Sequence, residues 1–308
     1  MVRLLVFIIR VMIILTRKVQ KFLFYLDSRF NSGFDLNSHQ YWVKRSARSH
    51  DMLKNADEQY YARQYWTVIE KHLDGLACKP SGSYLDLGCG QGRLTIPLAQ
   101  WTGTAGGKVI GIDLAETAVN QARKYTSQAG LNNIEFHVSD AGAYMESLED
   151  NGLDGIFILE MLYFHPKFMD ILKKSMRALK PGGILVTSLR PQYFWLLALV
   201  MEGTLDKIPM LLKKRSGRLF GGDVWFNWNT SNETKVLFEE ELGAEIIDLF
   251  GIGCCSGIQG DPHAHISLPS RLSKEDRDML MKLEMNMGRL IPDSGRYILV
   301  VSRKPFDC

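Results

Sequence analysis

No CxxC pair occurs among the five cysteines, Cys78, Cys89, Cys254, Cys255 and Cys308. Their number is odd and the chain is long, so neither a disulfide framework nor a structural zinc site is expected, and a reducing compartment fits best. Long apolar runs are scarce too. Only one strongly apolar stretch exists, which excludes a multi-span membrane protein. Neither sign of charge dominates: 37 basic and 34 acidic residues leave a net charge of +3, too little to argue for a nucleic-acid partner. Internal repeats and low-complexity tracts are absent. With 46% hydrophobic and 23% charged residues, the chain is not wholly disordered, collagenous or a coiled coil. Its 308 residues can bury a sizeable core, in two domains or in one α/β domain with insertions.

The apolar stretch is MVRLLVFIIRVMIIL, with 13 apolar residues in 15. It falls short of the roughly 20 needed to span a bilayer. Arg3, Arg10 and Arg17 are spaced seven apart, which puts them within about 40° on a helix, and Lys21 extends the stripe. A narrow basic stripe on a broad apolar face suits a helix lying in a membrane interface. A secretory signal would need an unbroken apolar centre and a small-residue cleavage site, whereas Arg10 interrupts the run and TRKVQK follows it. A helix packed on the protein's own body or on a second subunit stays open. So does a spanning segment continued through 22–26 with snorkelling lysines. Residues 1–26 are thus expected to form an apolar/basic helix, a candidate membrane anchor that would hold the chain on the cytoplasmic side of a membrane.

Residues 27–78 form a polar, aromatic lead-in and then a helix carrying Tyr60, Tyr61, Tyr65, Trp66 and Ile69. Beyond it strands and helices alternate. SYLDLG, KVIGIDL, IEFHVSD, LDGIFILEM and ILVTSL are apolar strands, and AEIIDLFGI and RYILVVSRK follow near the end. ETAVNQARKYTSQAG is a helix closed by Gly130, and FMDILKKSMRALK is an amphipathic one. This rhythm implies an α/β fold with a doubly wound, seven-stranded, mainly parallel sheet. Two stretches interrupt it. One, about 193–230, is apolar and then basic, a helical insertion after strand five. The other, about 256–292, is a Gly/Pro-rich loop and a helix.

The strongest motif is Leu85-Asp86-Leu87-Gly88-Cys89-Gly90-Gln91-Gly92-Arg93-Leu94, where a strand ends and a helix begins. Gly88, Gly90 and Gly92 let the backbone turn tightly and lie against a ligand. The following helix offers free N–H groups. Asp86 can accept a hydrogen bond from a cationic amine, and Asp113, 21 residues after Gly92 at the end of the next strand, can accept both hydroxyls of a ribose. The nicotinamide fingerprint would read G-x-G-x-x-G. Here the spacing is G-x-G-x-G, with an acid two residues before the first glycine.

That loop resembles the glycine-rich motif of the Rossmann-like S-adenosyl-L-methionine-dependent methyltransferases, typically (D/E)-x-G-x-G-x-G. The resemblance continues in order over about residues 80–190. Asp113-Leu114 is similar to the family's ribose-binding acid and its neighbour. Ser139-Asp140-Ala141 is similar to the adenine-binding position, where the acid would take the exocyclic amine and Ala141 the ring edge. Leu159-Glu160-Met161 resembles the wall beside the transferred methyl, and Ala178-Leu179-Lys180-Pro181-Gly182-Gly183 the turn into strand five. The resemblance implies that residues 79–308 are a methyltransferase domain whose cofactor is S-adenosyl-L-methionine. It also implies cofactor contacts at Asp86, Gly88, Cys89, Gly90, Gly92, Asp113, Leu114, Asp140, Ala141 and Leu159. Cys89 is read as a small filler beside the cofactor rather than a catalytic thiol.

The acceptor is less legible. Base-methylating enzymes often carry (N/D)-P-P-(Y/F) after strand four, whereas this chain has Glu160-Met161-Leu162-Tyr163-Phe164-His165-Pro166, so no nucleic acid is expected. The stretch from Glu160 to about Gly251 is loosely similar to the polyprenyl O-methyltransferases of quinone biosynthesis, through the Glu, the KPGG turn, the apolar insertion and Glu245-Ile246-Ile247-Asp248-Leu249-Phe250-Gly251. Tyr163-Phe164 stands where that family has an adjacent acid and histidine, with His165 displaced by one, so no metal is carried over. Within the insertion, 193–201 is apolar all round, and Lys213, Lys214, Arg215 and Arg218 follow. Such a lid with a basic rim suits a membrane and a hydrophobic acceptor, or equally a cap over a soluble substrate or a dimer contact.

Methyl transfer is an in-line displacement in which the protein positions the nucleophile and strips it of water. A hydroxyl acceptor benefits from a base. His165, with an ordinary pKa of about 6.5, is a candidate, or else a histidine tied to the next helix. Tyr163 is a candidate for lining the acceptor site, and Glu160 for base, orienter or cofactor contact. Asp261-Pro262-His263-Ala264-His265 is open to three readings: a surface loop, an acceptor contact or a minimal metal set. Trp225-Phe226-Asn227-Trp228-Asn229-Thr230 is a hinge or an aromatic lid, with Thr230 or Ser231 capping the next helix. Tyr60 and Tyr61 pack, or reach the cofactor's carboxylate. Together these point to methyl transfer to a small hydrophobic or lipid-like acceptor at oxygen, by a membrane-associated enzyme of open oligomeric state. The alternatives are a soluble natural-product or sugar methyltransferase, and a non-catalytic cofactor-binding scaffold for a membrane enzyme complex.

Overall fold

The chain's first described helix starts where its own side chains satisfy the free N–H groups of a helix end. In a computed structural model that describes residues 51–76, 78–219 and 225–306, the Asn55 side chain accepts from Asp57 N and Glu58 N and begins α1, Ala56–Gly75. The expected N-terminal helix and most of the lead-in lie outside the described residues. No helix among the described residues is long and apolar enough to cross a membrane.

After α1 the chain alternates as the sequence implies. β1 (Ser83–Leu87), α2 (Thr95–Gly103), β2 (Lys108–Asp113), α3 (Glu116–Gln128), β3 (Ile134–Val138), α4 (Ala141–Glu146) and β4 (Leu153–Ile158) are followed by α5 (Phe168–Ala178) and β5 (Leu179–Leu189). The insertion supplies α6 (Gln192–Glu202), α7 (Ile208–Lys213) and the short strands β6 (Ser216–Gly217) and β7 (Phe226–Asn227). The chain continues through α8 (Ser231–Val236), β8 (Glu245–Ile252), α9 (Lys274–Leu290) and β9 (Tyr297–Arg303). Thr230 caps α8 in a reciprocal capping box with Glu233.

Seven strands form one sheet in the order β3-β2-β1-β4-β5-β9-β8. The first five are mutually parallel, and β9 runs antiparallel between β5 and β8. The expected doubly wound, mainly parallel seven-stranded sheet is therefore present. Successive strands move outward from β1 to β3 and then jump back beside β1 with β4. That reversal opens a crevice at the C-terminal ends of β1 and β4, where ligands bind in such sheets. One detail differs from expectation. The Lys180–Gly183 turn lies inside β5, which pairs with β4 from Leu179 onward through a register shift. Gly182 takes the left-handed conformation there, at φ 78°.

Strand alternation sends side chains to two apolar layers. Tyr84, Val186 and Leu299 face α1, α2 and α6, whereas Leu85, Leu185 and Ile298 face α5 and the segment after α8. The insertion buries only one face of α6, through Phe194, Trp195, Ala198 and Leu199. Tyr193, Val200 and Met201 are exposed on the other. The Trp225–Thr230 stretch is fixed rather than hinge-like. Trp228 is fully buried, its Nε1 donates to the carbonyls of Leu211 and Lys214, and β7 pairs with β6.

Helix α9 lies against β8 at a glycine. A Cβ on Gly288 would stand 2.2 Å from the Gly251 carbonyl oxygen. Glycine to alanine inside a helix ordinarily gains up to about 1 kcal/mol. Here the close backbone reverses that sign: Gly288→Ala is expected to destabilise the fold by about 1–3 kcal/mol, read as a lowered urea midpoint.

Candidate active site

The glycine loop hangs on β2. Gly88 N and Cys89 N both donate to the Ile112 carbonyl, at 2.7 and 2.9 Å. Gly88, Gly90 and Gly92 all have positive φ. A Cβ on Gly88 would lie 3.1 Å from Met161 Sδ, so the segment after β4 leans on the loop. Nothing lies within 4 Å of where a Gly90 side chain would begin, which leaves room for a ligand over the loop.

Two carboxylates flank that space. Asp86, at the end of β1, accepts from Thr95 Oγ1 at 2.5 Å. Burial pushes its carboxyl up to about 6, with Thr95 and Arg93 opposing and Asp113 adding to the rise. Asp113 accepts from Gly90 N through Oδ2 at 2.9 Å and from Ala115 N through Oδ1 at 2.8 Å. Burial raises its carboxyl above the usual range, and those backbone bonds offset part of the rise. Each carboxylate oxygen has a second lone pair, so both groups keep acceptor capacity. Farther along, Ser139 N donates to the Asp113 carbonyl. Asp140 caps α4 through Ala143 N at 2.9 Å, Ala141 opens that helix, and Leu114 is half-buried. Leu159 is buried at the end of β4. Cys89 is buried in a small cluster with Val119, Ala122 and Phe136, and burial pushes its thiol well up, so no reactive thiolate is held there. A loop with open space above Gly90, two carboxylates with spare acceptor capacity and an exposed acid at Asp140 fits S-adenosyl-L-methionine, whose ammonium and ribose hydroxyls such acceptors would hold.

The far wall of the crevice is ionic. Arg93 sits between Glu58 of α1, which it contacts through Nη1, and Glu160, whose Oε1 lies 2.8 Å from Nη2. Glu160 has φ 58°, a strained conformation for a residue with a side chain, and its N–H donates to Ser188 Oγ at 2.6 Å. Burial alone would raise the Glu160 carboxyl. The guanidiniums of Arg93, Arg296 and Arg190 outweigh it and hold the group below its ordinary range. Nearby, Met52 N donates to Gln91 Oε1 at 2.8 Å, which ties the chain before α1 to the glycine loop.

Tyr163 is buried beside Glu160. Its hydroxyl accepts from Tyr297 at 3.3 Å and its ring meets Phe164 at 3.9 Å. His165 is half-buried. Its Nδ1 accepts from Lys167 N at 3.2 Å, so the neutral ring carries its proton on Nε2, and burial lowers its pKa. The bond sits at the entry to α5, the helix-tied alternative. Asn227 Nδ2 donates to the carbonyls of Leu162 and His165 and fixes this loop against β7.

The second constellation is spread out. Pro262–His265 is a 3-10 turn, with His263 buried and His265 exposed. His263 stacks on Phe194 and meets the Ser294 carbonyl, and burial pushes its pKa down to about 4. Asp261 pairs with Arg296. Among the described residues no group of three or more His, Cys, Asp or Glu is placed to hold a metal. Tyr60 and Tyr61 bond Glu284 and Ser256. Sequence reasoning missed Glu58, Arg93, Arg190, Arg296 and Tyr297. Arg93 adjoins the glycine motif, but its carboxylate partners are 35 and 67 residues away, and no local pattern announces them.

Residues 79–219 match a family model described as a methyltransferase domain. Over 147 residues the chain is 36% identical to a ubiquinone biosynthesis O-methyltransferase of Idiomarina loihiensis, across 46% of this chain and 56% of that protein. Over 118 residues it is 32% identical to a 24-methylenesterol C-methyltransferase of Oryza sativa, across 38% of this chain and 31% of that protein. The chain thus spans about a third to about half the length of these relatives. A Listeria monocytogenes structure assigned as an S-adenosylmethionine-dependent methyltransferase aligns at 19% identity and a TM-score of 0.51, over 79% of this chain and 97% of that one, a likeness of fold.

Two outcomes are expected. S-adenosylhomocysteine shares the ammonium and ribose that Asp86 and Asp113 would meet. Its ammonium needs ionised Asp86, so calorimetric affinity should be flat above pH about 6 and fall up to tenfold per unit below it, a fall that Asp86→Asn abolishes. Arg93→Met strands two buried carboxylates and should cost about 3–5 kcal/mol in urea unfolding.

Proposed function

We propose that this chain, which carries a methyltransferase domain over residues 79–219, transfers the methyl of S-adenosyl-L-methionine to an oxygen of a small hydrophobic or lipid-like acceptor. When bound, the cofactor supplies a sulfonium methyl: the acceptor oxygen's lone pair forms the O–C bond as the S–C bond breaks with its electrons left on sulfur. The chain's own residues hold the two partners and exclude water.

The observation that carries the reading is the composition of the crevice on either side of Glu160. One side is the glycine loop with its two acceptor carboxylates. The other adjoins an aromatic part of the core: Tyr297, Tyr163, Phe164, Phe226 and Trp195 form a connected chain of rings, successive centroids 3.9–5.6 Å apart. A wall of that kind favours an acceptor with a flat or greasy body. The names of the two curated relatives, one of a sterol and one of ubiquinone biosynthesis, support the same class. Glu160 is assigned to positioning. A carboxylate held ionised by guanidiniums is a weak base.

A membrane location belongs to this reading. The exposed apolar side chains of α6, Tyr193, Val200 and Met201, precede Lys207, Lys213 and Lys214, a mix suited to an anionic lipid surface. The apolar/basic sequence pattern of residues 1–25 suits the same kind of surface.

The test is turnover of methyl-labelled S-adenosyl-L-methionine against a lipid extract and a polar metabolite extract, followed by mass spectrometry. Labelled product is expected in the lipid fraction. Asp113→Ala should weaken cofactor binding by roughly tenfold to a hundredfold, the worth of a charged hydrogen bond, and remove product. Product in the polar fraction alone would sink the lipid reading. Cofactor binding without product in either would sink the enzyme reading.

A further inference from the structure

Beside Glu160 lies a second buried cation, Arg190, which helps hold that carboxyl ionised without touching it. Arg190 follows β5 and is 4% exposed. Its guanidinium carbon lies 3.9 Å from the Tyr297 ring centroid, 4.0 Å from Phe194 and 4.4 Å from Tyr163. Nη1 donates to the Arg296 carbonyl at 3.0 Å and Nη2 to the Tyr297 hydroxyl at 2.7 Å, while Nε has no hydrogen-bond partner among the described residues. Glu58 and Glu160 share Arg93, and Asp261 pairs with Arg296. Among the described residues no carboxylate is in ion-pair contact with Arg190. Aromatic faces and the nearby Glu160 carboxylate offset part of the cost of burying such a charge, and a negative group brought by a ligand would offset more.

The hydrogen bonds leaving Arg190 run one way. Tyr297 Oη accepts from Nη2, so its own proton goes to Tyr163 Oη, 3.3 Å away. Tyr163 accepts there and keeps its own proton, which has no acceptor among the described residues. A chain that begins on a cation and ends on a phenol proton is polarised toward a negative oxygen. Its end lies two residues beyond Met161, the side chain that leans on Gly88 of the cofactor loop.

We propose that Arg190, Tyr297 and Tyr163 form a relay that selects the acceptor as an oxyanion of the phenol or enol class, with Tyr163 donating to the acceptor oxygen and Arg190 and Tyr297 positioning it. The inference rests on the methyltransferase reading and deepens it by naming the acceptor's chemistry. On binding, the acceptor's proton leaves to solvent, so no side chain has to take it. This agrees with His165 Nδ1 being engaged by Lys167 N and with Glu160 being ion-paired to Arg93. The charged and titratable groups facing the relay are Glu160 from the end of β4, Arg93 from the glycine loop, Arg296 from the approach to β9, Tyr65 from α1, and Asp261 and His263 from the loop after β8.

The probe is para-nitrophenol, whose ionisation is read by its visible absorbance on the full chain saturated with S-adenosylhomocysteine. Bound probe is expected to ionise at least about tenfold more readily than free probe, a shift of about one pH unit. Tyr297→Phe and Tyr163→Phe keep the rings around Arg190. They should return the bound probe to its solution value with S-adenosylhomocysteine affinity unchanged. Arg190→Lys, which loses the fork but keeps the charge, should leave a smaller shift, and it serves if a Phe variant does not fold. An unshifted bound probe overturns the relay. So does a full shift that survives in these variants, or a chain that binds S-adenosylhomocysteine and not the probe. Failure to bind S-adenosylhomocysteine overturns the methyltransferase reading, and the relay with it.

Discussion

The Arg93 guanidinium, held between Glu58 and Glu160, is the interaction on which the site depends. It joins three segments that are far apart in the chain: the start of α1, the loop after β1 and the end of β4. Each of its carboxylate partners is largely withdrawn from water, so removing the cation would leave two charges with little solvation. The pairing also accounts for the strain at Glu160. A left-handed backbone there aims the carboxylate at Arg93 while its N–H bonds Ser188, and the surrounding contacts keep the residue in that state.

From that pivot the crevice divides by chemistry. On the glycine-loop side, backbone N–H groups and carboxylates with spare lone pairs suit a ligand that is polar and partly cationic. On the β4–β5–β9 side, aromatic rings surround guanidiniums. The low polarity of that half strengthens every remaining electrostatic contact. Buried hydrogen bonds tie the same wall down at its back. Glu284 of α9 accepts from Tyr60, Cys255 N and Ser256, which fastens α1 and α9 across the end of the sheet. The insertion closes the front, with Trp228 locked onto the α7 carbonyls and Asn227 onto the loop after β4.

The insertion illustrates why an apolar run is ambiguous by itself. Residues 193–201 are apolar on every face in sequence. In the fold one face covers the aromatic wall and the other stays exposed. Which residues fall on which side follows from helix phase and from Pro191 and Gly203 at its ends, and what the exposed face meets depends on surroundings beyond the chain. The histidines show the same effect. Pro262 starts a 3-10 turn, so His263 goes inward and His265 outward.

Much of the architecture was legible because it depends on local periodicity. Apolar runs of strand length, the helix closed at Gly130, the Thr230–Glu233 cap and the glycine loop with acids at its flanks all follow from neighbours in sequence, and the fold places them as expected. The glycine loop and its flanking acids were therefore readable as a local motif. The acceptor half was not. Arg93, Arg190, Arg296 and Tyr297 are ordinary residues in their local context, and only packing brings them among rings and carboxylates as far away in sequence as Tyr61 is from Arg296. Sequence by itself determined which elements form and where a glycine-rich turn meets an acid. Tertiary structure decided which charges are paired, because pairing depends on distance through space, which the order of residues along the chain does not carry.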